Sequence, residues 1–154
     1  KNCGGAVPQP GAFNEDDCAL LDAAYGLLDD VRDSIDVQAF HEALEKIWVV
    51  VRAANGYVDH QAPWKLRKTD PDEMEAVLYT LMETIRHLAI VLRPFMPDSC
   101  DRMLDQLGVD NNSRDFKFLN DGANPFDENS LKPGADLPKP EPVFPRYVEE
   151  VPEN

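Results

Sequence analysis

Apolar residues recur every three or four positions in three long stretches of the sequence, and this spacing constrains the fold more than any other feature. Each stretch presents a single apolar stripe, as an amphipathic helix does. The stripes are Leu20, Ala24, Leu27, Leu28, Val31 and Ile35; then Phe40, Leu44, Ile47, Trp48, Val51 and Ala54; then Met74, Val77, Leu78, Leu81, Ile85, Leu88 and Leu92. Helices of this kind bury their stripes most simply as an antiparallel bundle, so an all-α fold is predicted.

Helix start and stop signals divide the chain further. Residues that cap helix N-termini precede the three stripes, at Asn14, Asp36 and Asp70. Pro63 and Pro94 should end the second and third helices. A short fourth helix is predicted from Asp98 to a C-terminal glycine at Gly108.

The two ends of the chain have a different composition from the middle. Residues 1–13 are rich in glycine and proline and are predicted to be a loop, and residues 14–108 are predicted to form the bundle. Residues 109–154 hold 7 of the 13 prolines and are predicted to form an extended tail. Its anchors are Phe116, Phe118, Leu119, Phe126, Val143, Phe144 and Tyr147.

The net charge of −14 argues against nucleic-acid binding until its distribution is considered. Residues 1–45 carry a charge of −8, residues 46–102 are neutral, and residues 103–154 carry −6. Within the neutral part, Lys65, Arg67 and Lys68 place three positive charges in four residues. Only this part of the chain is predicted to approach phosphates, although an ordinary solvated surface would have the same composition.

The sequence contains no pattern typical of a catalytic or metal site. Three separated cysteines form no pair that would predict a disulfide framework or a zinc site, and the three histidines lie apart. No phosphate-binding glycine loop, transmembrane stretch or signal peptide is recognised, so we expect a cytoplasmic protein with free thiols and no cofactor in this chain.

The two tryptophans have different sequence settings. Trp48 lies between Ile47 and Val51 on the second stripe and is predicted to be part of the core. Trp64 follows Pro63 outside the helical period, in a predicted connection, and cationic residues follow it. An exposed aromatic ring beside positive charge suits stacking on an unpaired RNA base, but Trp64 could equally cover the end of the core.

Residues 53–66, with the sequence AANGYVDHQAPWKL, resemble the anticodon-binding domain of methionyl-tRNA synthetases, in which Ala-Asn-x-Tyr is followed by Pro-Trp and a basic residue. Residues 92–97 (LRPFMP) resemble the break after the family's next long helix, and residues 139–146 (KPEPVFPR) resemble its closing peptide. Class I synthetases for isoleucine, valine, leucine and cysteine share the Pro-Trp turn more loosely. The closing peptide favours the methionine enzyme.

The resemblance implies a five-helix bundle in which Trp64 packs against the first anticodon base and Pro63 shapes the contact. It implies a parent enzyme that uses ATP and magnesium to attach methionine to tRNA in a catalytic domain that this chain lacks. Two further base-reading residues of the family, an asparagine and an arginine, should precede Lys1, so residues 1–13 would hold a truncated helix start. The dimerising domain of some members has no counterpart here, which implies a monomeric parent.

The sequence therefore predicts a tRNA-binding module whose partners are the anticodon loop and the parent's catalytic domain. The predicted contact residues are Trp64 and Pro63, the cations Lys65, Arg67 and Lys68, and Arg52 and Asn55 from the preceding helix. The alternatives are the anticodon module of a related class I synthetase and a helical protein-interaction module.

Overall fold

The computed structural model describes residues 3–119 and 127–145, and within them it contains five α-helices and no β-strand. The helices are α1 (Glu15–Asp36), α2 (Phe40–Gln61), α3 (Pro63–Thr69), α4 (Pro71–Leu92) and α5 (Pro97–Gln106). Two 3₁₀ turns follow, at Asn111–Ser113 and Phe116–Phe118. The predicted all-α class is confirmed.

Helix α4 lies at the centre of the bundle and has buried residues on most of its circumference. Its residues Leu88 and Val91 form one core cluster with side chains of α1 and α2, and Val77 joins a second cluster near the start of α4. A third cluster places Ala89 and Ile90 against α5. The periodic stripes predicted α1, α2 and α4 correctly because each helix packs apolar residues against at least one of these clusters.

The helix ends are determined by local side-chain chemistry. Asn14 and Asp17 form a reciprocal capping box at the start of α1, and Asp70 caps α4 ahead of a proline at its first position. Gly108 has a positive φ of 71° just after α5, as predicted. The predicted cap at Asp36 is wrong, because α1 extends through Asp36 and α2 begins after Ala39 without a side-chain cap.

Trp48 is not in the core. It is 55% exposed, whereas the preceding residue, Ile47, is 2% exposed. The prediction failed because successive helix positions are about 100° apart, so a residue next to a buried one points away from the same neighbour. The face of α2 that packs against α1 and α4 carries Ala43, Ile47 and Val50.

Trp64 lies in a helix and not in a connection, which corrects the sequence-based prediction. Ala62 has left-handed backbone angles (φ 45°, ψ 59°), which end α2, and Pro63 begins the seven-residue helix α3. The backbone NH of Ala62 still donates to the carbonyl of Val58 at 3.0 Å. The chain therefore changes direction at this junction. No residue between α2 and α3 is left without a helical hydrogen bond.

The N-terminal loop and the tail pair with each other across α4. Val7 and Ala135 are joined by a backbone hydrogen bond of 2.8 Å, and an isolated antiparallel bridge pairs Ala6 with Asp136. Leu131 is buried beside Val7, so the tail is anchored on the bundle at this point. The predicted anchors Phe126 and Tyr147 lie outside the described residues, as does the last residue of the KPEPVFPR peptide.

Candidate nucleic-acid interface

Helix α3 presents an exposed indole ring at its first turn. Trp64 is 56% exposed, while its neighbour Pro63 is half-buried and occupies the first helical position. Leu66 packs α3 against the core cluster of Leu20, Tyr57 and Val77. The aromatic face is thus available to a ligand while the helix that carries it is packed against the bundle.

The three predicted cations extend from the same helix. Lys65, Arg67 and Lys68 are all exposed, and in residues 3–119 and 127–145 no carboxylate forms an ion pair with any of them. Arg67 and Lys68 lie in the last turn of α3, where the partial negative charge of the helix end favours cations. The structure therefore brings one exposed aromatic ring and three unneutralised positive charges together on seven residues.

Arg52 and Asn55 are exposed on α2 but lie further back along it. At 1.5 Å per residue they precede its last residue, Gln61, by about 14 and about 9 Å. Nη2 of Arg52 lies 3.4 Å from a carboxylate oxygen of Glu45, and both side chains are more than half exposed. An exposed pair of this kind contributes about 0–1 kcal/mol, so a phosphate can displace Glu45 at little cost.

The tyrosine of the Asn-x-Tyr pattern has a structural position that the sequence did not reveal. Tyr57 is 7% exposed, and its hydroxyl donates to the carboxylate of Asp17, which is fully buried at the start of α1. Burial raises the pKa of Tyr57, and the hydrogen bond to Asp17 raises it further. The spacing of Asn14 and Asp17 is compatible with a capping box, but it does not indicate that Asp17 contacts Tyr57.

Acidic residues adjoin this region without pairing with the cations of α3. Asp16 accepts a hydrogen bond from the side chain of Gln61 at 2.9 Å and lies 3.4 Å from Nε2 of His60. Its charge is therefore directed to the last turn of α2. Asp70, which follows α3, accepts from the backbone NH of Glu73 at 3.1 Å and is used as a helix cap.

Neither a metal site nor a membrane-spanning helix is found in the part of the chain that the structure describes. No group of three or more histidine, cysteine, aspartate or glutamate side chains there could hold a metal ion. None of its helices is long and apolar enough to cross a lipid bilayer.

Comparison with known proteins gives a consistent result over nearly the whole chain. Residues 7–154 match the sequence model of the anticodon binding domain of methionyl tRNA ligase. The methionine–tRNA ligase of Brucella suis is 49% identical over 149 residues, which are 97% of this chain and 28% of that protein. The ligase of Mesorhizobium japonicum is 44% identical, with 97% and 28% covered.

Solved structures agree with the sequence comparison. The free methionyl-tRNA synthetase of Mycobacterium tuberculosis superposes with a TM-score of 0.85 and 42% identity, covering 96% of this chain and 29% of that one. The same protein in complex with methionyl-adenylate gives 0.86 and 43%, covering 95% and 28%. The chain thus spans somewhat over a quarter of the length of the relatives it matches. It belongs to the family of anticodon binding domains of methionyl tRNA ligase.

Proposed function

We propose that this domain recognises the anticodon loop of a methionine tRNA and that helix α3 makes the central contact. The observation that carries the proposal is the exposed ring of Trp64 beside three cations that no described carboxylate neutralises. Stacking on an unpaired base contributes roughly 1–3 kcal/mol, and positive charges hold the adjoining phosphates. The family membership supports the choice of tRNA over other single-stranded RNA.

Each residue of the proposed interface has a separate role. Trp64 stacks on a base, and Pro63 fixes the turn that presents the ring. Lys65, Arg67 and Lys68 bind phosphates. Arg52 and Asn55 contact the RNA further along α2, where Asn55 has a side-chain amide suited to hydrogen bonds with a base edge or a phosphate.

The proposal extends to the protein of which this domain is a part. By analogy with its relatives, that protein attaches methionine to tRNA in the cytoplasm with ATP and magnesium, and the chemistry occurs in a catalytic domain that contacts this one. The proposed RNA contacts all come from a single chain, so we expect a monomer to suffice, and light scattering of the whole protein would test this.

The ring of Trp64 is expected to contribute one stacking interaction to tRNA binding. Trp64→Ala should weaken binding of the methionine tRNA about 5- to 150-fold, which is the equivalent of one lost stacking interaction. Binding is measured by fluorescence anisotropy with labelled tRNA and the full-length protein. Trp48→Ala is the matched control, because Trp48 is equally exposed and lies on a different helix.

Two outcomes would contradict the proposal. If Trp64→Ala and Trp48→Ala weakened binding equally, the ring of Trp64 would have no special role. If neither changed it, the exposed surface of α3 would better suit the protein-interaction module. Tighter binding of an isoleucine or valine tRNA would contradict the choice of methionine.

A further inference from the structure

Three helix ends around α3 are joined by a chain of polar contacts. The hydroxyl of Tyr57 on α2 donates to one carboxylate oxygen of Asp17 on α1. The other oxygen of Asp17 accepts from the backbone NH of Asn14 at 2.8 Å. The side-chain amide of Asn14 donates to Oε1 of Glu73 in the first turn of α4 at 3.0 Å. These four residues are called the Tyr57–Glu73 relay below.

The relay is held in place by burial. Asp17 is 0% exposed, and a buried carboxylate without hydrogen-bond donors would be strongly destabilising. Its carboxylate accepts from the phenol of Tyr57 and from the backbone NH of Asn14, while the backbone NH of Asp17 donates to the side-chain oxygen of Asn14 at 2.9 Å. Since burial raises the pKa of Tyr57, the phenol keeps its proton and remains a donor at neutral pH.

The relay closes a ring that contains Trp64. Along the chain, α2 passes into α3 at Ala62, and α3 passes into α4 at Asp70, whose NH donates to the carbonyl of Leu66 at 2.8 Å. The relay joins the two outer ends of this segment, from Tyr57 before α3 to Glu73 after it. Helix α3 has only seven residues and none of them is buried, so its orientation depends on the packing of the partly buried Leu66 together with these supports.

We infer that Tyr57, Asp17, Asn14 and Glu73 are positioning residues that hold α3 in one orientation, so that Trp64 meets the RNA base without a search over alternative ring positions. The inference rests on the proposed function for its biological meaning. A contact whose supporting residues are locked loses less conformational entropy on binding and is therefore tighter.

The RNA-binding test is a double-mutant cycle in the full-length protein. The factor by which Trp64→Ala weakens tRNA binding should be at least about twofold smaller in the Tyr57→Phe background than in the wild type. The reason is that a mobile ring contributes less to the affinity. Tyr79→Phe is the matched control. Tyr79 is also buried on the bundle and loses one hydrogen bond, to the carbonyl of Leu131 at 2.9 Å, but it lies outside the relay.

A second test needs no RNA. This 154-residue chain has two tryptophans, so in it the substitution Trp48→Phe makes Trp64 the single tryptophan that fluoresces. In that background Tyr57→Phe should lower the amplitude of the slow component of the fluorescence anisotropy decay, while Tyr79→Phe should leave it unchanged. Glu73→Ala should act like Tyr57→Phe, and Glu73→Gln should restore the wild-type decay, since glutamine keeps the acceptor oxygen for Asn14.

The outcomes separate the two proposals. If Tyr57→Phe and Tyr79→Phe had equal effects on the decay and neither coupled to Trp64→Ala, the relay would be an ordinary stabilising contact and the inference would be wrong. If Trp64→Ala left tRNA binding intact, the proposed function would fail, and the anisotropy decay would still decide whether the relay fixes the ring.

Discussion

At the scale of single residues, the cations of α3 act as separate phosphate ligands. Each phosphate neutralised on a single strand changes the slope of the logarithm of affinity against the logarithm of salt concentration by about 0.7. Lys68→Gln should therefore reduce the slope for tRNA binding by about 0.7. The measurement is a titration at several salt concentrations.

The control for this prediction is Lys46→Gln. Lys46 lies in the first half of α2, away from the end of that helix that joins α3, and its Nζ donates to the carbonyl of Asp30 on α1. It should leave the slope unchanged. An equal change from both substitutions would mean that net charge, and not the patch on α3, determines the salt dependence.

The sequence left two positions open for Trp64, an exposed one and one that covers the end of the core, and the structure shows it 56% exposed. Pro63 interrupts the period of α2 and cations follow it, but this setting is compatible with either position. Nothing local identifies Asp17 as the partner of Tyr57, because the two are 40 residues apart. The left-handed backbone conformation of Ala62 could not be predicted either, since alanine seldom takes this conformation and glycine takes it readily.

At the scale of elements, α2 shows how far periodicity alone can be trusted. Val49 and Val50 are neighbours in the sequence, yet Val49 is 56% exposed and Val50 is 4% exposed. Val50→Ala should lower the free energy of unfolding by about 2 kcal/mol through lost burial and a cavity. Val49→Ala should leave it unchanged or raise it by a few tenths of a kcal/mol, because alanine is the better helix former.

Urea unfolding of the 154-residue chain, followed by circular dichroism, measures both changes. Equal losses from the two substitutions would show that α2 is rotated from the orientation described here. The seven residues of α3 are a different case, since they are too few to show a periodic stripe and could not be predicted as a helix from apolar spacing.

At the scale of the whole molecule, α4 joins the bundle to the segments that follow α5. Glu83 and Arg86 form a buried ion pair on α4, with Nε of the arginine 2.9 Å from the carboxylate. Arg86 also donates to the carbonyl of Phe118 at 2.8 Å, and Glu83 accepts from the NH of Leu131 at 3.1 Å. The ion pair thus binds backbone groups on both sides of the undescribed residues 120–126, a long-range arrangement that no sequence pattern indicated.

This arrangement makes stability depend on acidity. Burial disfavours the ionised form of Glu83, but His87 and Arg86 outweigh that effect and hold its pKa below the ordinary value of 4.5. The unfolded chain therefore binds this proton at a higher pH than the folded chain, so the free energy of unfolding should fall as the pH drops below about 4.5. Urea unfolding between pH 6 and about pH 3 measures the fall.

Glu83→Gln should flatten this pH dependence, and Asp101→Asn is the control. The pKa of Asp101 is also lowered, chiefly by its hydrogen bond to Arg93. Because the side chain of Asp101 is 35% exposed and screened by water, Asp101→Asn should flatten the pH dependence less than Glu83→Gln does. An unchanged pH dependence in Glu83→Gln would show that folding does not lower the pKa of Glu83.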